Sequence, residues 1–199
     1  MMRVLGAIGF IGFALYLLNY YGWYGFIPIA LILLFRNRSI PISKRVELNV
    51  GAGIIAPLSM IYPLMKIGFT INHDFKMFLI IAVATIVLFS RLESYSVVTH
   101  FLPAVILGNV AVYYHVSPAV AVPVLYLIIL LFCDGFLLLI ALRRTHECII
   151  FEIGKDGFAD GLVALPGLMF LGILYVVWYM YSSPIIPSHY LFIKKGLYH

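Results

Sequence analysis

Charge is scarce in this chain. Of its 199 residues only 11% are Asp, Glu, Lys or Arg, while 64% are hydrophobic. About a quarter of an ordinary soluble domain is charged, so the charged side chains here are too few to cover a water-facing surface. That excludes a typical soluble globular domain. Cysteine is nearly absent as well. Cys133 stands inside an apolar run and Cys148 in a short connection, so no disulfide framework is legible. Internal repeats and low-complexity tracts are missing, and the longest polar connection, of roughly fifteen residues, is too short to hold a core of its own. What remains is a single integral membrane domain over 1–199, in which any activity resides in the bilayer or at its faces.

Long charge-free runs are what the chain does have, and they read as transmembrane helices. Residues 4–35 contain no charge. As one straight helix they would reach about 48 Å, against about 30 Å of hydrocarbon. The stretch Asn-Tyr-Tyr-Gly-Trp-Tyr-Gly over 19–25 offers a turn at its middle, so spans are expected over 4–19 and 22–35. A single tilted helix is the alternative. The start lacks a small-x-small cleavage site, which makes it an uncleaved first span and not a signal peptide. Further spans are expected over 50–69, kinked by Pro57 and Pro63, then over 75–90, 96–114, 118–142 and 158–181. The fold class is therefore all-α, a polytopic transmembrane bundle of about seven spans.

Charge placement orients it. With the N-terminus inside, inner segments hold Arg3, Arg36, Arg38, Lys44, Arg45, Arg91, Arg143, Arg144 and Lys155. Outer segments hold only Lys66, Lys76, Lys194 and Lys195. The excess of basic residues inside satisfies the positive-inside rule. Tyr20, Tyr21, Trp23, Tyr24, Tyr113, Tyr114, Trp178, Tyr179 and Tyr181 fall at the expected outer ends, where interfacial aromatics belong. The arrangement is N-in and C-out, in the cell membrane. The net charge of +5 is accounted for by these loops and anionic headgroups, not by nucleic acid. The partners expected are the lipid bilayer and either other membrane subunits or a transmembrane-helix substrate.

Asp134 is the sharpest anomaly, an acid within the sixth span roughly 12 Å from its inner end. An aspartate near a helix centre costs about 2.5–3.5 kcal/mol on insertion scales, so a partner, a water-filled cavity or protonation must offset it. Fixing helix packing is the plain reading; catalysis or ion coupling is the sharper one. Candidate partners lie in Gly-Lys-Asp-Gly-Phe-Ala-Asp-Gly over 154–161. Asp160 opens the last apolar run, where an acid also serves as an N-terminal cap, and Asp156 stands in reserve. Two carboxylates sharing a dry site titrate together. One can then activate water while the other protonates a leaving group. Gly154, Gly157, Ala159 and Gly161 would let backbone or substrate approach closely.

Here the sequence resembles two families. Asp134 followed by Gly157-Phe158-Ala159-Asp160 is similar to the arrangement of presenilin and signal peptide peptidase-type intramembrane aspartyl proteases. These carry one aspartate in a helix and a second in a Gly-x-Gly-Asp motif opening the next. Ala159 replaces the second glycine, Cys133 replaces the usual aromatic, and the downstream Pro-Ala-Leu motif is absent. The blocks from Val46 to Tyr175, including Asn49, Gly51, Asp134, Asp160 and Gly161, resemble a prokaryotic membrane family, the domain of unknown function 1614. Ala52 and Ala159 depart from its pattern. The first likeness implies an acid pair at Asp134 and Asp160; the second implies no reaction.

The remaining residues of interest divide between packing and site chemistry. Gly51-Ala52-Gly53 lacks the strand–turn–helix context of a dinucleotide site. Close packing beside Asn49, whose amide can bond a neighbour or a ligand, is the better reading. His100 is a relay or metal candidate, more often simply bonded to another helix. Gly6, Gly9 and Gly12 form a packing seam. No cofactor or metal site is expected. The first expectation of function is a non-catalytic helical subunit of a membrane complex. The alternatives are an intramembrane aspartyl-type peptidase using Asp134 and Asp160, and a small proton- or cation-coupled transporter using Asp134.

Overall fold

The computed structural model describes residues 2–43, 46–67, 70–93, 96–99, 102–136, 151–154 and 161–182. It is mostly helical, in line with the all-α expectation. Helix α1 runs Met2–Tyr21 and, at 20 residues, is about 30 Å long. It breaks at Gly22, whose φ of +58° suits a residue without Cβ. After a 3-10 turn, Gly22–Gly25, α2 runs Phe26–Leu34. Gly25 lies against the Leu17–Leu18 backbone, where a Cβ would meet the Leu17 carbonyl at 2.9 Å. In a continuous helix those residues would stand about 12 Å apart along the axis. The chain has therefore doubled back, at the turn expected from its Gly-Trp-Tyr-Gly.

A strand β1, Ser39–Ser43, pairs antiparallel with β2, Val46–Asn49. A π-helical turn, Gly51–Ile55, leads into α3, Ala56–Ile67. Helix α4, His73–Phe89, is started by Asn72, whose side chain accepts the Phe75 N–H and so satisfies a donor the helix cannot. A hairpin of β3, Ser90–Glu93, and β4, Ser96–Thr99, follows. Then come α5, Leu102–Tyr113, α6, Pro118–Ile128, and a second π-helical segment, Ile129–Phe136. Strand β5, Phe151–Ile153, lies parallel to β2, and α7 spans Gly161–Ser182.

Two expectations change. The basic stretch after α2, read as a loop, is a hairpin that becomes a three-stranded sheet in the order β1-β2-β5. Ser-Ile-Pro-Ile-Ser and Val-Glu-Leu-Asn alternate polar with apolar residues, the period-two signal of a strand. The fifth span does not begin at 96. Ser96-Val-Val-Thr is a β-branched strand paired with Ser90–Glu93, as β propensity favours, and α5 is only 12 residues long. Of the seven spans expected, two stretches among the described residues are long and apolar enough to cross a bilayer, Val4–Leu34 (bent at Gly22) and Gly161–Met180. The apolar helices Gly51–Ile67, Leu102–Tyr113 and Pro118–Phe132 are shorter.

Packing is organised by α7, which contacts α1, α5 and α6. Its residues from Leu162 to Leu165, with Met169 and Phe170, are buried. Helices α1 and α7 run parallel at very close range. A Cβ at Gly9 would strike the Ala164 backbone, one at Gly12 the Gly167 carbonyl, and one at Gly167 the Gly9 carbonyl. Above this crossing Tyr16 meets Phe170 edge to face at 5.5 Å. Gly108 and Gly172 serve the α5–α7 contact in the same way. Small residues thus line the helix crossings. On α1 the outward stripe is Val4, Ile8, Ile11 and Leu15, each more than two-fifths exposed, and it recurs with the helical period.

Candidate functional site

Asn49 anchors the best-defined polar site. It ends β2, is fully buried, and spends both ends of its amide. Its Nδ2 donates to the Arg36 carbonyl at 2.6 Å, at the exit of α2. Its Oδ1 accepts the Ala52 N–H at 3.0 Å, one of the donors left without a partner where a helix begins. The Val50 N–H also bonds the Arg38 carbonyl at 2.8 Å. One side chain therefore fixes the turn after α2 to the start of the π-helical turn. Burying this amide unpaired would cost about 1–3 kcal/mol per group; paired, it sets a unique geometry.

Ala52 extends the junction. Its carbonyl accepts the Tyr126 hydroxyl of α6 at 2.8 Å, a buried bond between residues 74 apart in sequence. From the other side comes Gly154, directly after β5, with φ +77°. A Cβ there would stand 3.0 Å from the Ala52 Cβ and 3.1 Å from the Asn49 Cβ. The register Val46↔Phe151, Glu47↔Glu152 and Leu48↔Ile153 delivers Gly154 beside Asn49. Gly51 belongs to the same contact, where a Cβ would meet the Ile32 carbonyl at 2.8 Å. Four pieces of chain, α2, the π-helical turn, α6 and the end of β5, thus converge on Asn49 and Ala52.

Asp134 lies eight residues beyond Tyr126, half-buried in the π-helical segment Ile129–Phe136. Such wide turns displace side chains from the α-helical register and recur at functional sites. Among the described residues, a Cβ at Gly135 would approach only the Leu130 carbonyl, at 3.1 Å. This segment contacts α7, and α6 packs along α7. Gly161 opens α7, and among the described residues only the Leu165 side chain lies near a would-be Cβ.

Asn49 and Gly51 come together with Gly154, which had been noted only for its freedom of approach. Asp134 is on the segment touching α7, and Gly161 begins that helix. Asp156, Gly157, Asp160 and His100 lie outside the described residues. Among the described residues no three His, Cys, Asp or Glu side chains gather as a metal would require. Tyr126 was missed. Its signal was a phenol within an apolar helix, since a buried tyrosine hydroxyl needs a partner.

No family model, curated protein or solved structure matches this chain. The resemblances drawn from its motifs rest on those residues alone.

Proposed function

We propose that the chain is a multi-pass protein of the cell membrane, of about seven spans with its N-terminus inside. We propose further that it works as an intramembrane acid-pair peptidase, with Asp134 and Asp160 as the pair and Asp156 in reserve. The observation that carries the catalytic reading is the common anchor at Ala52. Its carbonyl accepts the hydroxyl of Tyr126, eight residues before Asp134 in sequence, and Gly154, six residues before Asp160 in sequence, lies against its side chain. The helices that bear or follow these acids are neighbours. The membrane reading is supported by bulky apolar side chains facing outward on every long helix, a surface that hydrocarbon covers and water does not.

Chemically, two carboxylates close together hold one proton between them. The ionised member draws a proton from water as the water oxygen bonds to the substrate's carbonyl carbon, and the protonated member delivers its proton to the amide nitrogen as the C–N bond breaks, releasing an amine and a carboxylic acid. The substrate class that fits is a transmembrane helix, locally unwound at the acids. Reconstituted with such a substrate in vesicles, the wild-type chain cleaves it, and Asp134→Ala and Asp160→Ala each abolish cleavage. Undiminished turnover in either variant refutes the pair.

The non-catalytic subunit is the second reading. The broad exposed surface of Tyr175, Trp178 and Tyr179 on α7 favours it, as a face that partner helices could cover. Against it stands the use of Gly9, Gly12, Gly108, Gly167 and Gly172 inside the chain. That leaves these small-residue seams, the usual material of helix–helix recognition in lipid, already occupied.

A further inference from the structure

Beyond the acid site, the end of α2 and the β1 edge form a surface of distinctive composition. The outward stripe of α2, Ile27, Leu31 and Leu34, is exposed and leads directly to Arg36 and Arg38, both exposed. Two more apolar side chains then return on β1, where Ile40 is 49% and Ile42 61% exposed. The arginines are shown from a rigid support, because their carbonyls are held by Asn49 Nδ2 and by the Val50 N–H. β1 is an outer strand of its sheet, yet Pro41 removes a donor from it and a bulge follows between Pro41 and Ser43. Both features blunt a strand as a template for another peptide.

From this we infer that the α2–β1 corner is a docking surface for anionic lipid headgroups. Arg36 and Arg38 would engage the phosphates, and Ile40 and Ile42 would enter the boundary between headgroups and acyl chains. Cations beside exposed aliphatic residues at the end of an apolar helix are what such a boundary selects. The guanidinium fork matches phosphate oxygens in pairs. The inference rests on the bilayer reading but not on the acid pair.

The test uses the full chain in nanodiscs of phosphatidylcholine alone and of phosphatidylcholine with phosphatidylglycerol in equal parts. Native mass spectrometry counts the lipids retained on release, and amide exchange follows residues 39–43. Phosphatidylglycerol is expected to be retained selectively and to slow exchange across β1. Arg36→Gln with Arg38→Gln should weaken retention about 25-fold, at about fivefold per arginine. Ile40→Ser with Ile42→Ser should speed β1 exchange in both compositions while leaving the preference for phosphatidylglycerol in place. If the chain stays embedded after alkaline washing but retains both lipids equally, or the arginine variant keeps its preference, the inference is overturned and the bilayer reading stands. If the wild-type chain washes out of the membrane, both fall.

Discussion

Replacing Gly167 by alanine adds a single methyl group at the tightest point of the molecule. That methyl would fall on the Gly9 carbonyl and within 2.6 Å of the Phe13 nitrogen. The obstacles are backbone atoms of α1, not the ends of flexible side chains, so relief requires the two helices to separate. Separation would loosen the Tyr16–Phe170 contact above and the Gly12 contact beside it. Overpacking of a close-packed core costs about 1–3 kcal/mol, and a site with no movable neighbour belongs at the upper end. For a chain of this length about 3 kcal/mol corresponds to a fall of about 6–12 °C in unfolding temperature. Gly161→Ala is the control, on the same helix and with the same added methyl. Among the described residues its Cβ meets only the Leu165 side chain, at 3.5 Å, and its effect should lie within about 1 kcal/mol of zero, alanine being the better helix former. Thermal unfolding of the purified protein in one mild detergent compares the two. Equal stability of Gly167→Ala and Gly161→Ala would refute the parallel α1–α7 crossing.

Asn49→Ala should destabilise by about 1–3 kcal/mol, because it strands the buried Ala52 N–H and removes the bond to the part-buried Arg36 carbonyl; faster exchange of the Ala52 amide measures it. Tyr126→Phe removes only the bond to the Ala52 carbonyl, for about 1 kcal/mol, and should slow substrate cleavage more than it lowers the unfolding temperature. Ile11→Lys places a charge on the outward face of α1. In hydrocarbon this costs about 2.5–3.5 kcal/mol and should lower the membrane-inserted yield, whereas normal insertion would show that this face meets water.

Much of the helical layout could be read from the sequence because its causes are local. Gly22 permits the positive φ that ends α1, and Gly9 and Gly12 announce a close helix crossing. Which helix completes the crossing was not readable, since Gly167 stands some 150 residues away and nothing local names it as the partner. The strands escaped for a different reason. In a chain so apolar, Ser-Val-Val-Thr and Ser-Ile-Pro-Ile-Ser are outweighed by the hydropathy of their surroundings, although the β-branched pair in the first favours a strand. Asn49 stood out as a polar residue at the entrance of an apolar run. Its role as a junction depends on β2 lying parallel to β5, a pairing of residues about a hundred positions apart that only the fold supplies. Asp134 was conspicuous by its cost alone. The π-helical segment around it was hidden, because no side chain in Ile-Leu-Leu-Phe forbids an ordinary α-helix.

The acid pair is tested most directly by cross-linking. Asp134→Cys and Asp160→Cys, in a chain also carrying Cys133→Ser and Cys148→Ser, are treated in membranes with a short thiol-specific bifunctional reagent. Side chains that share one proton as acids are close enough for such a reagent to join them. The account predicts an intrachain cross-link between positions 134 and 160, seen as a linked peptide pair by mass spectrometry. Labelling of each cysteine singly, with no linked pair formed, would contradict it.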